Sequence, residues 1–228
     1  MEKITAIILA AGNGSRMKSK TKKQYMEING KPVIAHTLTA FELSEVDSII
    51  LVTGKDEIDS CKEIVEKEKI TKVEAIVSGG KERSDSVYEG LKTCTDSDYV
   101  LIHDGARPIV TKELIGTCIE KMKEYKACVV GVPVTDTIKI ADENENIKST
   151  PDRSTLWSIQ TPQCFEYSLV KGAFDKMYNE GGVKVTDDAM VVEKYQDKKV
   201  KIIMGDYRNI KITTPSDIQI AAVFLNEI

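Results

Sequence analysis

Ile4-Thr5-Ala6-Ile7-Ile8-Leu9-Ala10-Ala11-Gly12-Asn13-Gly14-Ser15-Arg16-Met17 runs from an apolar, β-branched segment straight into a glycine turn. A strand covered on both faces reads as a near-continuous apolar run, so Ile4–Ala10 predicts a buried strand of a parallel sheet. Glycines at such a strand's C-terminal end let backbone N–H groups approach a ligand closely, and those amides suit phosphate oxygens. Neither common phosphate fingerprint fits: G-x-G-x-x-G needs a third glycine where Met17 stands, and G-x-x-x-x-G-K-[ST] is absent. Hydride transfer on a dinucleotide and P-loop hydrolysis both lose ground. Arg16 and the run Lys22-Lys23-Gln24-Tyr25 instead place fixed cations within a few residues of the turn, a combination able to neutralise a triphosphate.

The same strand signature recurs at Ser48–Thr53, Val73–Val77, Tyr99–His103, Ala127–Val134 and Lys201–Met204. Helix-length stretches lie between: Ile115, Cys118, Ile119 and Met122 repeat at helical spacing, and Ile58, Cys61 and Val65 do so more weakly. Thr111 before Lys112 and Thr214 before Pro215 are N-cap signals. This alternation predicts a mostly parallel α/β sheet flanked by helices. One segment departs from it. From Val134 to Leu156 the chain reads strand, Asp-Glu-Asn-Glu-Asn turn, strand, which predicts an antiparallel β-hairpin arm inserted into the parallel fold. A two-stranded ribbon is marginal alone in water, so the 134–156 arm is expected to pack on something, such as a second subunit. With no repeat, linker or low-complexity tract, residues 1–228 read as a single domain.

Composition narrows the classes further. The chain has 228 residues, 32 Lys+Arg against 36 Asp+Glu, and a net charge of −4, which gives no sign of a nucleic-acid or anionic-membrane surface. The N-terminal apolar run is too short to span a membrane and lacks a secretory cleavage pattern. Five cysteines, Cys61, Cys94, Cys118, Cys128 and Cys164, form no C-x-x-C pair and read as buried free thiols of a reducing, cytoplasmic compartment. The two histidines, His36 and His103, read as structural.

Nine ordered segments, LAAGNGSRM, KQY, GKPVIAHTL, GG-KE-R-SDSV, LIHDGARP, DTIK, R-STLW-SIQTPQ-CF, TDDA and NIKITTPSD, span Leu9 to Asp217. Together they resemble the 2-C-methyl-D-erythritol 4-phosphate cytidylyltransferases of the non-mevalonate isoprenoid pathway, within the Rossmann-like nucleotidyltransferase fold. The related pentitol-phosphate (ribitol 5-phosphate) cytidylyltransferases of wall teichoic acid synthesis would have GG-T-G-T-R and HDSVRP where this chain has AAGNGSR and HDGARP. Small departures stand out. Lys22 sits where the family usually has proline, Gly105 where alanine is frequent, and Lys81 where an acid can occur.

The resemblance implies attack by a phosphate monoester on the α-phosphorus of CTP, with release of pyrophosphate. It assigns Arg16 and Lys23 to charge neutralisation in the transition state, and Arg153 and Lys211 to the incoming phosphate. Leu9, Ala10, Ala11, Gly12, Asn13, Gly14, Ser15, Gly79, Gly80, Arg83, Ser86, Asp104 and Gly105 make up the implied nucleotide site; a surface pairing with Asp85 or Glu82 is the alternative for Arg83. Arg107, Asp136, Thr137, Thr161 and Thr186 would meet the polyol, and Asp104 would be the protein ligand to Mg²⁺. A homodimer joined through the 134–156 arm would bring Arg153 to the neighbouring subunit's site.

Overall fold

A computed structural model describes residues 2–12 and 22–227; Asn13, Gly14, Ser15 and Arg16 of the glycine turn lie outside the described residues. The chain opens with β1 (Ile4–Leu9), the two-residue strands β2 (Glu27–Ile28) and β3 (Lys31–Pro32), and α1 (Val33–Glu42). It continues through β4 (Ser48–Thr53), α2 (Ile58–Lys67), β5 (Val73–Ser78), α3 (Arg83–Thr93), β6 (Tyr99–Asp104), α4 (Lys112–Tyr125) and β7 (Ala127–Pro133). Then come β8 (Ile140–Ala141), β9 (Ile147–Ser149), β10 (Trp157–Glu166), α5 (Tyr167–Asn179), α6 (Asp188–Gln196), β11 (Lys201–Met204) and α7 (Pro215–Leu225).

Seven strands form the central sheet in the order β11-β7-β10-β6-β1-β4-β5. Every pair is parallel except those of β10, which runs antiparallel to both β6 and β7. All six residues of β4 and of β6 are buried, which is why these strands carry no polar alternation. On β1, Ala6 and Ile8 face a core shared with Leu38 and Phe41 of α1 and Cys118 of α4. Ile7 faces the opposite core with Val87 and Leu91 of α3 and Phe174 of α5. Each fully buried side chain of this kind contributes roughly 1.5–3 kcal/mol.

The predicted helix signals hold. Thr111 caps α4 by accepting the Leu114 amide at 3.2 Å, and Ile115, Cys118, Ile119 and Met122 are its buried stripe. Pro215 opens α7, where Asp217 accepts the Thr214 amide at 2.8 Å. All five cysteines are free and buried. No helix among the described residues is long and apolar enough to cross a membrane.

The strand reading missed β10. Pro162 in its centre argues against a strand, because proline cannot donate to a ladder; the structure accommodates it at a register shift between Ile159 and Gln163, with a cis Thr161–Pro162 peptide. The arm is an antiparallel hairpin as predicted, but its ordered pairing is short, confined to β8 and β9. It continues the β7–β10 ladder through Val134 N–H donating to Leu156 O at 3.0 Å. Ile140 and Ile147 stay 49% and 65% exposed on it.

The order of strands fixes where a ligand sits. From β1 the chain moves outward to β4 and β5, then returns to place β6 on the other side of β1. The crevice beyond the carboxyl ends of β1 and β6 is the topological switch point, where open α/β sheets bind ligands.

Candidate active site

Two cavities open at that crevice. The first, of about 470 Å³, is lined by Leu9, Ala10, Ala11 and Gly12 of the turn, Lys22, Lys23 and Gln24, the β4–α2 connection and the β5–α3 loop. The second, of about 320 Å³, is lined by Arg107, Thr161, Gln163, Thr186 and Asp187 among others. Arg83, Asp104 and Lys211 belong to both.

The turn is fastened from behind. Buried Gln24 donates to Ala10 O at 2.6 Å and Gly12 O at 3.2 Å. Gly105 N–H donates to Leu9 O at 2.8 Å. The carbonyl oxygens of Leu9, Ala10 and Gly12 are therefore taken by internal donors. Gly105 lines neither cavity; a Cβ there would come within 2.5 Å of Ile34 Cδ1 and 2.9 Å of Leu9 O, so it supports the turn from beneath. Across the cleft, Gly79 approaches so closely that a Cβ would lie 2.6 Å from both Ala11 Cβ and Ser86 Oγ. Ser86 Oγ accepts from Gly80 N–H and donates to Glu82 O, both at 3.2 Å.

Cations converge on the first cavity. Lys23 lies in a short 3₁₀ turn, Lys23–Tyr25, whose Tyr25 hydroxyl bonds Thr53 Oγ1 at 2.8 Å. Lys22 also lines the cleft and pairs with Glu57 at 2.8 Å. Lys55 and Lys81 complete the set from two further loops.

Asp104, at the end of β6, is where the cavities join. Lys211 Nζ lies 2.7 Å from its Oδ2, Arg83 Nε 3.2 Å from its Oδ1 and Arg107 Nε 3.8 Å from its Oδ2. Burial alone would raise its pKa, but Arg83, Lys211 and Arg107 hold the carboxyl far below the usual carboxylate range. Arg83 also forks onto Asp188, with both Nη–Oδ distances 2.8 Å. Burial pushes the Asp188 carboxyl up and the Arg83 fork opposes it. Arg83 thus pairs with Asp188 and Asp104 rather than with Asp85 or Glu82.

His103 donates or accepts at Thr161 Oγ1, 3.0 Å from Nδ1, and its Nε2 lies 3.3 Å from Arg107 O. Burial lowers its pKa to about 3, so the ring is neutral at physiological pH. His36 is tied to Ile28 O at 2.9 Å. Both histidines are structural, as their sequence contexts predict. Thr161 Oγ1 accepts the Asp104 amide at 3.1 Å, and Asn209 donates to Thr161 O at 2.9 Å. Arg107 Nη1 donates to Asn209 O at 2.7 Å, while its buried Nε has no hydrogen-bond partner among the described residues.

The structure gathers Leu9, Ala10, Ala11, Gly12, Lys23, Gly79, Gly80, Arg83, Ser86, Asp104 and Lys211 around the first cavity and Arg107, Thr161 and Thr186 around the second. It does not bring Asp136, Thr137 or Arg153 to either. These three are exposed at the arm's base, with Arg153 donating to Thr135 O at 2.9 Å. Sequence reasoning gave no site role to Gln24, Lys55, Gln163, Asp187, Asp188 and Asn209, although the KQY, SIQTPQ, TDDA and NIKITT segments contain all of them except Lys55.

The donor set for a divalent cation is sparse. Among the described residues no group of three or more His, Cys, Asp or Glu side chains could hold a metal. Asp104 is a single carboxylate at the junction, already facing three cations. The residues shared by both cavities thus offer a divalent cation one carboxylate, Asp104, within the one or two that Mg²⁺ commonly takes from a protein.

A switch-point cleft beside Leu9–Gly12, with converging lysines and a second adjoining cavity, suits two anionic ligands, as a nucleotidyltransferase requires. A family model described as IspD: 2-C-methyl-D-erythritol 4-phosphate cytidylyltransferase matches residues 4–227. The chain is 50% identical over 223 residues, 97% of this chain and 98% of the relative, to the 2-C-methyl-D-erythritol 4-phosphate cytidylyltransferase of Lachnospira eligens. It is 48% identical to the enzyme of that name from Caldanaerobacter subterraneus, over 98% of this chain and 99% of the relative. Among solved structures, 4-diphosphocytidyl-2C-methyl-D-erythritol synthase from Anaerococcus prevotii superposes with a TM-score of 0.86 at 38% identity, covering 99% of both chains. The chain belongs to the 2-C-methyl-D-erythritol 4-phosphate cytidylyltransferase family. These relatives lend no support to a ribitol phosphate enzyme.

Proposed function

We propose that the chain joins CTP to 2-C-methyl-D-erythritol 4-phosphate, forming 4-diphosphocytidyl-2-C-methyl-D-erythritol and pyrophosphate. The observation that carries this reading is the pair of cavities meeting at Asp104, Arg83 and Lys211, which suits two anionic substrates whose phosphates must touch. CTP takes the first cavity, with cytosine against Gly79, Gly80 and Ser86 and its phosphates toward the glycine turn. The polyol takes the second, near Thr161, Thr186 and Arg107.

A phosphate monoester oxygen attacks the α-phosphorus; the new P–O bond forms as the α–β bridging P–O bond breaks and pyrophosphate carries away the electron pair. The monoester is already an anion near pH 7, because its second pKa is about 6. No general base is required, in keeping with two histidines engaged in structural bonds. The protein's work is positioning and charge neutralisation. Lys23 and Arg16 stabilise charge on the triphosphate, and Lys211 moves from Asp104 to the incoming phosphate. Mg²⁺, when bound beside Asp104, supplies further charge neutralisation to the triphosphate.

Residues 1–228 act as one nucleotidyltransferase domain and 134–156 as a dimerisation arm. The exposed Ile138, Ile140 and Ile147 give the arm an apolar surface to bury. Arg153, Asp136 and Thr137 line neither cavity of their own chain, which favours service to the neighbouring site. Five buried free thiols suit a cytoplasmic setting. The test is pyrophosphate release from CTP and Mg²⁺ with methylerythritol phosphate, with ribitol phosphate, and with neither. Release is expected only with the first; release with neither would make the chain a hydrolase.

A further inference from the structure

The β5–α3 loop that meets the first cavity is held by Asp85, which is in turn held by a residue far from it in sequence, Tyr178. Asp85, in the first turn of α3, accepts the Glu82 amide through Oδ2 at 2.9 Å. Its Cβ packs so closely on Gly80 that a side chain at that glycine would overlap it. Asp85 therefore sets the path of Gly80, Lys81 and Glu82. Its other oxygen, Oδ1, accepts the hydroxyl of Tyr178 on α5 at 2.6 Å. The Tyr178 ring is stacked on Tyr88 of α3, with centroids 4.6 Å apart and planes 21° from parallel. The hydroxyl is thus aimed by packing of α5 on α3, and the carboxylate it holds has one free rotation removed.

We infer that Tyr178 is a positioning residue for nucleotide recognition, acting through Asp85 on the Gly79–Glu82 loop. It touches no substrate. This inference rests on the reading that the first cavity takes CTP. Its neighbour in the stack supplies a built-in comparison: Tyr88 donates an equally short bond, 2.6 Å, to Asp175, which plays no part in the loop. Removing either hydroxyl takes one charge-assisted hydrogen bond from the same α3–α5 interface. Only the Tyr178 bond leads to the cavity.

The experiment compares Tyr178→Phe, Tyr88→Phe and Asp85→Asn with the wild-type enzyme in steady-state kinetics and in calorimetric titration with CTP and Mg²⁺. Phe keeps the ring stack, so Tyr178→Phe is expected to fold, which a melting curve checks. Loss of the hydroxyl should raise KM for CTP by about 5–10-fold with kcat within about twofold, and should narrow the preference for CTP over UTP. Asp85→Asn should move KM in the same direction, and Tyr88→Phe should leave both constants unchanged. A merely structural role would lower the melting temperature in both Phe variants and spare KM. Unaltered CTP affinity in Tyr178→Phe, or an equal effect in Tyr88→Phe, would overturn the positioning role. Absence of CTP binding by the wild-type enzyme would overturn the cavity reading and the inference with it.

Discussion

Replacing Arg83 by Met removes the cation from a carboxylate that has nowhere to go. The Asp188 side chain is 1% exposed, and both of its oxygens accept from the Arg83 fork at 2.8 Å. Breaking a buried pair by deleting one partner costs about 3–5 kcal/mol, because a charge is left without compensation. The Arg83 side chain keeps 30% exposure, so solvent already screens its end of the pair and the lower figure applies. The expected loss is about 3 kcal/mol, roughly 150-fold in the folding equilibrium. Burial raises the Asp188 pKa, and the loss of its cation raises it further. The folded variant then binds a proton more readily than the unfolded one, so the deficit is largest at neutral pH and shrinks on acidification.

Urea denaturation followed by tryptophan fluorescence from Trp157 measures the difference. The double variant Arg83→Met with Asp188→Leu removes both charges and should be more stable than the single variant, with a coupling of about 2 kcal/mol. It should not regain turnover, because Asp104 has still lost the Nε contact that helps fix it at the junction of the cavities. A single variant within about 1 kcal/mol of wild type, or a double variant no more stable than the single, would refute the claim that this clamp is a buried, coupled ion pair.

Lys23→Ala should lower kcat by about 10²–10³ with the fold retained, read by pyrophosphate release. Mixing Lys23→Ala protomers with Arg153→Ala protomers should restore about a quarter of wild-type activity, because in the proposed dimer half of the random pairings would carry one intact composite site; no recovery above the two variants alone would place Arg153 in its own chain's function. Acidification should cost stability through His103, which is neutral when folded with a pKa near 3 and accepts a proton near 6.5 when unfolded. The penalty begins below about pH 6.5 and reaches about 2 kcal/mol by pH 5, and a His103→Asn variant should lack that part of the pH slope in urea titrations. Chelation of Mg²⁺ should stop turnover while leaving the melting temperature within about 1 °C, since no cluster of metal-binding side chains holds the described fold together.

What could be read from the chain follows the range of the interactions involved. The strand-to-glycine transition at Leu9–Gly12 and the caps at Thr111 and Thr214 are local, so spacing and residue type suffice to find them. The antiparallel β10 escaped because Pro162 obeys a local rule that a register shift overrides, and only the partners β6 and β7 supply the ladder that makes the exception stable. The Arg83–Asp188 clamp escaped for a different reason. Arg83 and Asp188 are 105 residues apart, and nothing near either one shows that both will be buried side by side. An arginine near Glu82 and Asp85 reads as a helix-surface pair until the sheet brings α3 and α6 together. The Tyr178–Asp85 contact, across 93 residues, is of the same kind. Groups proposed to meet the substrates lie in recognisable motifs, whereas groups that hold them in place are chosen by packing. The charge balance shows the same division: a net −4 excludes a broadly basic surface, yet the fold lines one cleft with Lys22, Lys23, Lys55, Lys81, Arg83 and Lys211. Cations gathered by tertiary structure make an anion site that the charge sum of the chain conceals.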